Sequence, residues 1–267
     1  MLIDNIKELF LKIKKGNPLV HHITNNVTIN DCANATLAIG GSPVMATSIE
    51  EVADMVNLAN ALVINFGTID DSTYEAMLRA GKAANKKGIP VVFDPVGVGA
   101  TPFRTERAID FLKKVDVSII RGNATEVFAL IGGKAATRGV DAVEITISKE
   151  ELAKKTAQQL NTIAVISGKH DVISNGEETV KIGNGDIWLT RITGTGCMTA
   201  SLIASFAGIT DDLFSAAIAG MSVMSLAGER AKNRLIDGEG IGTYRVKLID
   251  EISMMDSQIW EEGVRFL

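Results

Sequence analysis

The sequence predicts an α/β protein with a mainly parallel central sheet. Short runs of apolar and β-branched residues recur along the first two thirds of the chain, and stretches typical of helices separate them. No linker rich in proline or serine divides the 267 residues, of which 46% are hydrophobic, enough for one sizeable core. We therefore expect residues 1–267 to form a single domain.

Five apolar runs are typical of buried strands, and two intervening stretches are typical of helices. In SIEEVADMVNLAN, Ser48 and Glu51 have the spacing of a capping box. The stretch from Asp70 ends at Gly88, which suits a helix C-terminus. The predicted strands are LVHHIT from Leu19, LVINF from Leu62, VVFDP from Val91, VSII from Val117 and IAVIS from Ile163.

The last third of the chain has a different pattern. Residues 171–189 suggest a hairpin, because Asn175-Gly176 is a strong turn signal between two strand-like runs. Such a hairpin could form an antiparallel edge of the sheet. Long helices are expected at roughly residues 196–209, 212–232 and 244–262.

Charge and cysteine content limit the possible partners. The formal net charge is -5 with a pI near 5.3, and no block of basic residues offers a broad surface for nucleic acid. Cys32 and Cys197 are too few for a disulfide framework, although a bridge between them stays open. We expect a cytoplasmic protein that binds anions only locally.

The first sixteen residues predict a surface helix rather than a signal peptide or a membrane anchor. Charged residues interrupt their apolar stripe. No uninterrupted apolar run approaches the length of about 18 residues that a membrane-spanning helix needs. The stripe comprises Leu2, Ile6, Leu9, Phe10 and Ile13.

Polar residues follow the predicted strands, at the end where an open α/β sheet binds its ligands. The loops after the strands meet the N-termini of helices there, so the chemistry of the protein is expected to gather at this edge. These residues are Thr24, Asn25, Asn26, Asn65, Gly67, Asp94, Arg121, Asn123, Ser167 and Gly168.

The segment ITGTGC, residues 192–197, predicts an anion site at the start of an apolar helix. Gly194 and Gly196, with Thr195 between them, let successive N–H groups face an anion at the positive end of that helix. A plain glycine turn before a core helix is the alternative. Cys197 at the helix entrance leaves open whether the site belongs to a phosphotransferase or a thiol enzyme.

Asp94 and the segment RGNATE suggest a site for hydrated magnesium. Asn123 and Glu126 lie three residues apart at a helix start, and Asp94 ends a strongly apolar strand. Mg²⁺ takes only one or two protein carboxylates beside substrate phosphates, and Arg121 could pair with a phosphate. Equally, Asn123 and Glu126 could form a capping box, and Asp94 could cap a turn.

Four segments together resemble the hydroxyethylthiazole kinase family, whose members are ribokinase-like enzymes of thiamine salvage. The resemblance runs from about Lys14 to the last helices, and the first segment is the longest and most specific. It implies a three-layer sandwich with helices on both sides of the sheet. The segments are GNPLVHHITNNVTINDCANATLAIGGSPVMA, DPVGVGAT, RGNATE and ITGTGCMTA.

The resemblance also implies a reaction and an assembly. Family members transfer a phosphoryl group from ATP, with Mg²⁺, to the hydroxyl of 5-(2-hydroxyethyl)-4-methylthiazole, and they form trimers whose active sites are shared between subunits. By matching motifs, Met45 would contact the thiazole with Asn25, Val27 and Gly67 nearby, and Gly194 would lie at the reacting hydroxyl.

The remaining roles concern ATP and the metal. The resemblance places Arg121 and Ser167 at ATP, with Asn123 beside them, and Asp94 and Glu126 at magnesium, directly or through water. The amides of TGTGC, residues 193–197, would hold the transferring phosphoryl group.

Cys197 stands where many ribokinase-like enzymes have an aspartate base. Phosphoryl transfer depends mainly on alignment and charge stabilisation, so a weak base suffices. A thiol at a helix N-terminus, which favours the thiolate, could accept the proton or only shape the pocket. Two other functions stay open: a thiol hydrolase or transferase, which would need a histidine partner, and a nucleotide-binding regulator without catalysis.

Overall fold

A computed structural model describes residues 2–133 and 147–267, and within them eight strands form one sheet in the order β2-β1-β3-β4-β5-β6-β7-β8. The first six strands are parallel to their neighbours, whereas β7 and β8 run antiparallel. The predicted α/β fold is confirmed. The strands are β1 (Leu19–Ile23), β2 (Ser42–Val44), β3 (Ala61–Asn65), β4 (Val91–Asp94), β5 (Ile119–Asn123), β6 (Ile163–Ser167), β7 (Asp171–Ser174) and β8 (Thr179–Ile182).

Helices connect these strands and follow the sheet. The connecting helices are α2 (Ile29–Ile39), α3 (Val52–Leu58), α4 (Asp71–Lys87), α5 (Pro102–Lys114), α6 (Ala124–Leu130) and α7 (Lys149–Leu160). The others are α1 (Leu2–Gly16) at the start and α8 (Thr195–Ala207), α9 (Leu213–Asn233), α10 (Ile241–Met254) and α11 (Ser257–Gly263) at the end.

The sheet lies between two helical layers, because successive strand side chains point to opposite faces. On β3, Val63 packs into the core formed with α1, α2 and α8–α11, whereas Leu62 and Ile64 pack into the core formed with α3–α6. Towards the antiparallel edge, Val172 packs against α7. This is the three-layer sandwich expected from the resemblance.

Two predicted helical features differ from the structure. The capping box at Ser48 and Glu51 is wrong, since α3 begins at Val52 and Glu51 makes no side-chain cap hydrogen bond. Residues 244–262 form two helices rather than one, because the chain turns at Met255 and the Asp256 side chain caps α11.

The hairpin is shorter than predicted. Asn175 and Gly176 form its turn, with Gly176 at a φ of 95°, but β8 ends at Ile182 and residues 187–191 form a 3-10 helix. The antiparallel edge is confirmed, and Phe266 adds an isolated bridge to Ile182. The structure also contains β2 and α2, neither of which was predicted.

Two other predictions about helices agree with the structure. Gly88 terminates α4 in the left-handed conformation, with a φ of 80°, and α1 buries Ile6, Leu9, Phe10 and Ile13 while its charged residues face solvent. None of the helices in the described residues is both long and apolar enough to span a membrane.

Candidate active site

The carboxyl ends of five parallel strands bring the predicted polar residues to one edge of the sheet. The backbone hydrogen bonds of the sheet align these ends, since Asn65 lies opposite Asp94 and Asn123 lies opposite Ser167. The chain leaves β1 towards β2 on one side and returns to β3 on the other, so a crevice opens between them. Helix α8 begins at this edge, since Cys197 Sγ in its first turn lies 3.3 Å from Asn65 Nδ2.

Asp94 is the buried carboxylate of the site. Its Oδ2 accepts a hydrogen bond of 2.8 Å from Asn65 Nδ2. Oδ1 lies 3.9 Å from Arg121 Nη1 and accepts no hydrogen bond from the described residues. Burial raises the pKa of Asp94 well above its usual range, and the positive charge of Arg121 opposes this rise. One carboxylate oxygen is thus free for a ligand.

Asn123 and Glu126 form the capping box that the sequence left open as an alternative. Asn123 Oδ1 accepts the Glu126 amide and Glu126 Oε2 accepts the Asn123 amide, each at 2.9 Å. Glu126 Oε1 also accepts the Gly97 amide at 2.8 Å. Glu126 therefore ties the loop after β4 to the end of β5, and its charge raises the pKa of nearby Asp94.

The Asp94 carboxylate suits a hydrated magnesium ion, because one of its oxygens accepts no hydrogen bond from the described residues. Residues 2–133 and 147–267 contain no cluster of three or more His, Cys, Asp or Glu side chains that could hold a metal ion. Magnesium does not need such a cluster, because it retains water and binds substrate phosphates. The free Oδ1 of Asp94 is a suitable ligand atom, with the charge of Glu126 nearby.

Arg121 lies between two clefts at this edge, a smaller one and a larger one, and lines both. Its Nη2 donates a hydrogen bond of 2.9 Å to Ser167 Oγ, and its Nη1 faces Asp94. Its buried Nε makes no hydrogen bond to the described residues. A side chain on Gly196 would overlap the Arg121 guanidinium group. The absence of a side chain at residue 196 therefore lets the helix start approach this cation.

The smaller cleft has a volume of about 300 Å³ and lies at the start of α8. Gly194 has a φ of 89°, and a Cβ there would lie 2.8 Å from Thr28 Cγ2. Glycine is required on both counts. The cleft is lined by Asn25, Val27, Thr28, Gly67, Asp94, Val96, Arg121, Thr193, Gly194, Gly196 and Cys197.

The larger cleft, of about 570 Å³, lies on the other side of Arg121. Ile187, Leu189, Met221 and Met224 supply an apolar wall, while Ser167 and Thr195 lie where the two clefts approach each other. Such a cleft can accept a flat aromatic group on its apolar wall and direct an attached anion towards Arg121.

Cys197 lies in the smaller cleft with its Sγ 3.3 Å from both Asn25 Nδ2 and Asn65 Nδ2. Burial raises the pKa of the Cys197 thiol, and the neighbouring Asp94 carboxylate raises it further. Both effects oppose the thiolate that a helix N-terminus favours, so the thiolate character of Cys197 stays a prediction.

Most predicted site residues come together, with one clear exception. Gly194, Gly196, Cys197, Asn25, Val27, Gly67, Asp94 and Arg121 line the smaller cleft. Arg121, Ser167, Thr195 and Gly196 line the larger one, and Asn123 and Glu126 adjoin them through the capping box. Met45 is half-buried just after β2 and lines neither cleft.

Two further residues shape the site without having been assigned a role from sequence. Asn65 was recognised only as a polar strand end, yet it bonds to Asp94 and contacts Cys197. Arg104 on α5 donates hydrogen bonds to Val96 O at 2.9 Å and to Gly67 O at 2.8 Å. It fastens the two loops after β3 and β4, and no local signal marks this role because its partners are carbonyl groups.

Known proteins match this chain along nearly its whole length. Residues 10–258 match the model of the hydroxyethylthiazole kinase family. The hydroxyethylthiazole kinase of Ruminiclostridium cellulolyticum is 46% identical over 263 residues, which cover 97% of this chain and 96% of that protein.

Solved structures agree with the fold. The structure of hydroxyethylthiazole kinase from Pyrococcus horikoshii OT3 has a TM-score of 0.88 and 35% identity, with 99% of both chains covered. A ribokinase-like superfamily protein from Enterococcus faecalis V583 has a TM-score of 0.65 at 12% identity, over 94% of this chain and 89% of that one, which supports the fold alone. The chain belongs to the hydroxyethylthiazole kinase family.

Proposed function

We propose that this protein is an ATP-dependent kinase that phosphorylates the hydroxyl group of 5-(2-hydroxyethyl)-4-methylthiazole in thiamine salvage. The observation that carries the proposal is the junction of the two clefts, where Arg121, the free Oδ1 of Asp94 and the glycine turn meet. The names of the relatives supply the identity of the alcohol.

The two clefts divide the substrates between them. The adenine ring of ATP packs on the apolar wall of the larger cleft, and its phosphates extend towards Arg121 and Ser167. The thiazole alcohol occupies the smaller cleft with its hydroxyl at Gly194. The reacting groups then meet at residues 194–197, where the free amides of the helix start can stabilise the transferring phosphoryl group.

Asp94 and Glu126 would hold magnesium, which supplies charge neutralisation on the phosphates when bound. Arg121 adds a fixed positive charge beside them, and its position between Asp94 and Ser167 orients the phosphate chain. Asn65 fixes the Asp94 carboxylate from the opposite side. The chain thus contributes mainly alignment and electrostatic stabilisation, which this reaction requires most.

The direct test is incubation of the purified protein with ATP, Mg²⁺ and the thiazole alcohol. Formation of the phosphate ester, together with ADP release that depends on the alcohol, is the expected result. ADP release that is independent of the alcohol would contradict the proposed substrate. No ADP release at any magnesium concentration, with nucleotide still bound, would instead favour a nucleotide-binding regulator.

A thiol enzyme is the main competing function, and the surroundings of Cys197 disfavour it. The polar atoms next to Sγ belong to two asparagine amides, and a carboxylate lies nearby. His22 is fully buried, and its Nε2 faces Ser201 Oγ at 3.1 Å. His21 Nε2 faces Ala46 O at 2.8 Å, and none of the described hydrogen bonds of Cys197 Sγ involves a histidine that could activate the thiol as a nucleophile.

We also propose that the protein is a cytoplasmic homotrimer with active sites shared between subunits. Met45 lies outside the smaller cleft of its own chain, and Val27, which lines that cleft, is 65% exposed. An exposed apolar residue at a cleft rim is suited to being covered by a neighbouring subunit. Met45 of that neighbour would then complete the thiazole site.

Sedimentation at assay concentration tests the trimer, and co-expression tests the shared site. Met45→Glu and Asp94→Asn should each be nearly inactive alone, because each damages one half of every site. Mixed trimers should recover part of the activity, since some sites would combine two intact halves. A fully active monomer, or mixed assemblies without any recovery, would contradict this proposal.

A further inference from the structure

Two buried asparagines connect Asp94 and Cys197 in one hydrogen-bond network. Asn65, at the end of β3, is 1% exposed, and Asn25, just after β1, is 4% exposed. Asn25 Nδ2 donates to Asn65 Oδ1 at 2.8 Å. The two amides therefore form a continuous polar connection between the carboxylate and the thiol, and Asn25 itself lines the smaller cleft.

Every hydrogen-bonding position of the Asn65 amide is occupied. Its Nδ2 donates to Asp94 Oδ2 at 2.8 Å and contacts Cys197 Sγ at 3.3 Å. Its Oδ1 accepts from Asn25 Nδ2 and, at 2.9 Å, from the Gly67 amide. An amide has two donor hydrogens and two acceptor positions, so no capacity remains. Rotating it by half a turn would place its oxygen against the Asp94 carboxylate.

Asn25 is fixed in the same way. Its Oδ1 accepts from Val27 N at 3.1 Å, Thr28 N at 3.0 Å and Thr28 Oγ1 at 3.1 Å. Its Nδ2 must therefore point towards Asn65 and Cys197. Together the two amides direct two N–H groups at Sγ, and the sulfur is held as a hydrogen-bond acceptor.

The network also decides which oxygen of Asp94 is free. Asn65 occupies Oδ2, so Oδ1 is the atom that faces Arg121 and is left for a ligand. Without the Asn65 donor, the carboxylate could rotate and its charge would lose a partner in a buried position. Buried polar networks are strongly orienting only when every member is satisfied.

We propose that Asn65 and Asn25 are positioning residues of the phosphoryl transfer: they hold Asp94 with Oδ1 towards the substrates and hold residue 197 as a hydrogen-bond acceptor. This inference rests on the proposed kinase function. Changes at the two asparagines should therefore lower kcat and leave nucleotide binding nearly unchanged, because neither residue lines the larger cleft.

Asn65→Asp is the sharpest test, since it keeps the shape but replaces a donor with a negative charge facing Asp94. We expect kcat to fall about 100-fold, as when one preorganised donor is removed from an active site, while KM for ATP stays within about threefold. Asn25→Asp should lower kcat less, by about tenfold, because the Asn25 amide donates to Asn65 and Cys197 and reaches Asp94 only through Asn65.

Asn184→Asp is the matched control. Asn184 is also 1% exposed, and its Nδ2 donates to the Glu229 carboxylate at 2.9 Å. The same chemical change there should lower the unfolding temperature but keep kcat within about twofold. Equal losses of kcat in Asn65→Asp and Asn184→Asp would overturn the proposal, and so would a folded Asn65→Asp variant with kcat near that of the wild type.

The exchange variant Asn65→Asp/Asp94→Asn tests the hydrogen bond through protein stability, which can be measured independently of enzyme activity. It restores one carboxylate and one amide to the pair, so it should recover the unfolding temperature lost in Asn65→Asp while kcat stays low. Failure to recover would contradict the assigned hydrogen bond, even if Asn65→Asp does not fold well enough for kinetics. Absence of thiazole phosphorylation by the wild-type protein would overturn the kinase function, whereas the exchange would still test the network.

Discussion

The two clefts at the edge of the sheet differ in how their side chains are held. At the smaller cleft, Asn25 and Asp94 are almost fully buried and are joined through the buried Asn65, which hydrogen-bonds to both. The larger cleft has an apolar wall that includes Ile187, which is 67% exposed. The larger cleft also holds a buried and bonded pair, Asp171 and Ser225, but it differs from the smaller cleft in the contact area that its apolar wall offers.

Because of this difference, we expect substitutions in the two clefts to affect different kinetic constants, kcat in one case and KM for ATP in the other. Buried polar groups in fixed positions stabilise developing charge at little reorganisation cost, so changes among them should act on kcat. Apolar contact is non-directional and proportional to the area covered, so changes in it should act on KM for ATP. Arg121 borders both clefts, and changes near it should act on both quantities.

Asp94→Asn should have the largest effect, a fall in kcat of about a thousandfold. The amide keeps an oxygen for the Asn65 hydrogen bond but removes the negative charge that the free Oδ1 presents beside Arg121. Initial rates over a range of magnesium concentrations measure the effect. Asp110→Asn on α5 is the control and should keep normal rates, because Asp110 bonds to Tyr74 and Lys114 and lines neither cleft. A kcat within tenfold of the wild type would contradict a metal role for Asp94.

Gly196→Ala tests the boundary between the clefts. The added Cβ would overlap the Arg121 guanidinium group, which Ser167 and Asp94 hold in place. We expect kcat/KM for ATP to fall about 100-fold, with both kcat and KM affected. Gly242→Ala is the matched control, because a Cβ added there would meet no atom of the described residues within 4 Å and alanine favours a helix. Normal kinetics in Gly196→Ala would contradict the placement of Arg121.

The sheet and its ligand-binding edge could be predicted because both follow from local patterns. Apolar β-branched runs indicated five strands, and residues following them, such as Asp94 and Arg121, lie at the expected edge. Strand β2 was missed because SPV is only three residues long and contains a proline. Its position at the edge of the sheet tolerates that proline, which no local pattern reveals.

The electrostatics of the site could not be predicted, because they depend on contacts between distant segments. The start of α8 suggested a thiolate at Cys197, but Asp94, 103 positions earlier in the chain, lies beside it and raises its pKa. The role of Asn65 depends on partners from three other segments. Residue types at strand ends indicate where chemistry occurs, whereas packing decides which atoms remain free.

Ile187→Ala should have a smaller effect, confined to the larger cleft. Ile187 is exposed, so truncation should cost little stability while removing part of the apolar wall. We expect KM for ATP to rise about fivefold with kcat unchanged, as expected for the loss of about 1 kcal/mol of apolar contact. Ile236→Ala, at an equally exposed isoleucine outside both clefts, should leave KM unchanged. An effect of Ile187→Ala on kcat alone would contradict the division between the clefts.

Cys197→Asp should have the smallest effect on kcat, within about threefold of the wild type. The side-chain amides of Asn25 and Asn65 already direct N–H groups at this position, and a carboxylate oxygen accepts such bonds better than sulfur does. The nearby Asp94 charge opposes a second carboxylate, so the two effects largely offset each other. Cys197→Ala should keep measurable turnover, because alignment by the rest of the site remains. A covalent thiol mechanism requires the opposite, since neither variant retains a comparable nucleophile. Steady-state phosphorylation by both variants, once circular dichroism establishes that each is folded, decides between them: complete loss of activity in both would overturn the assignment of Cys197 as a non-nucleophilic residue.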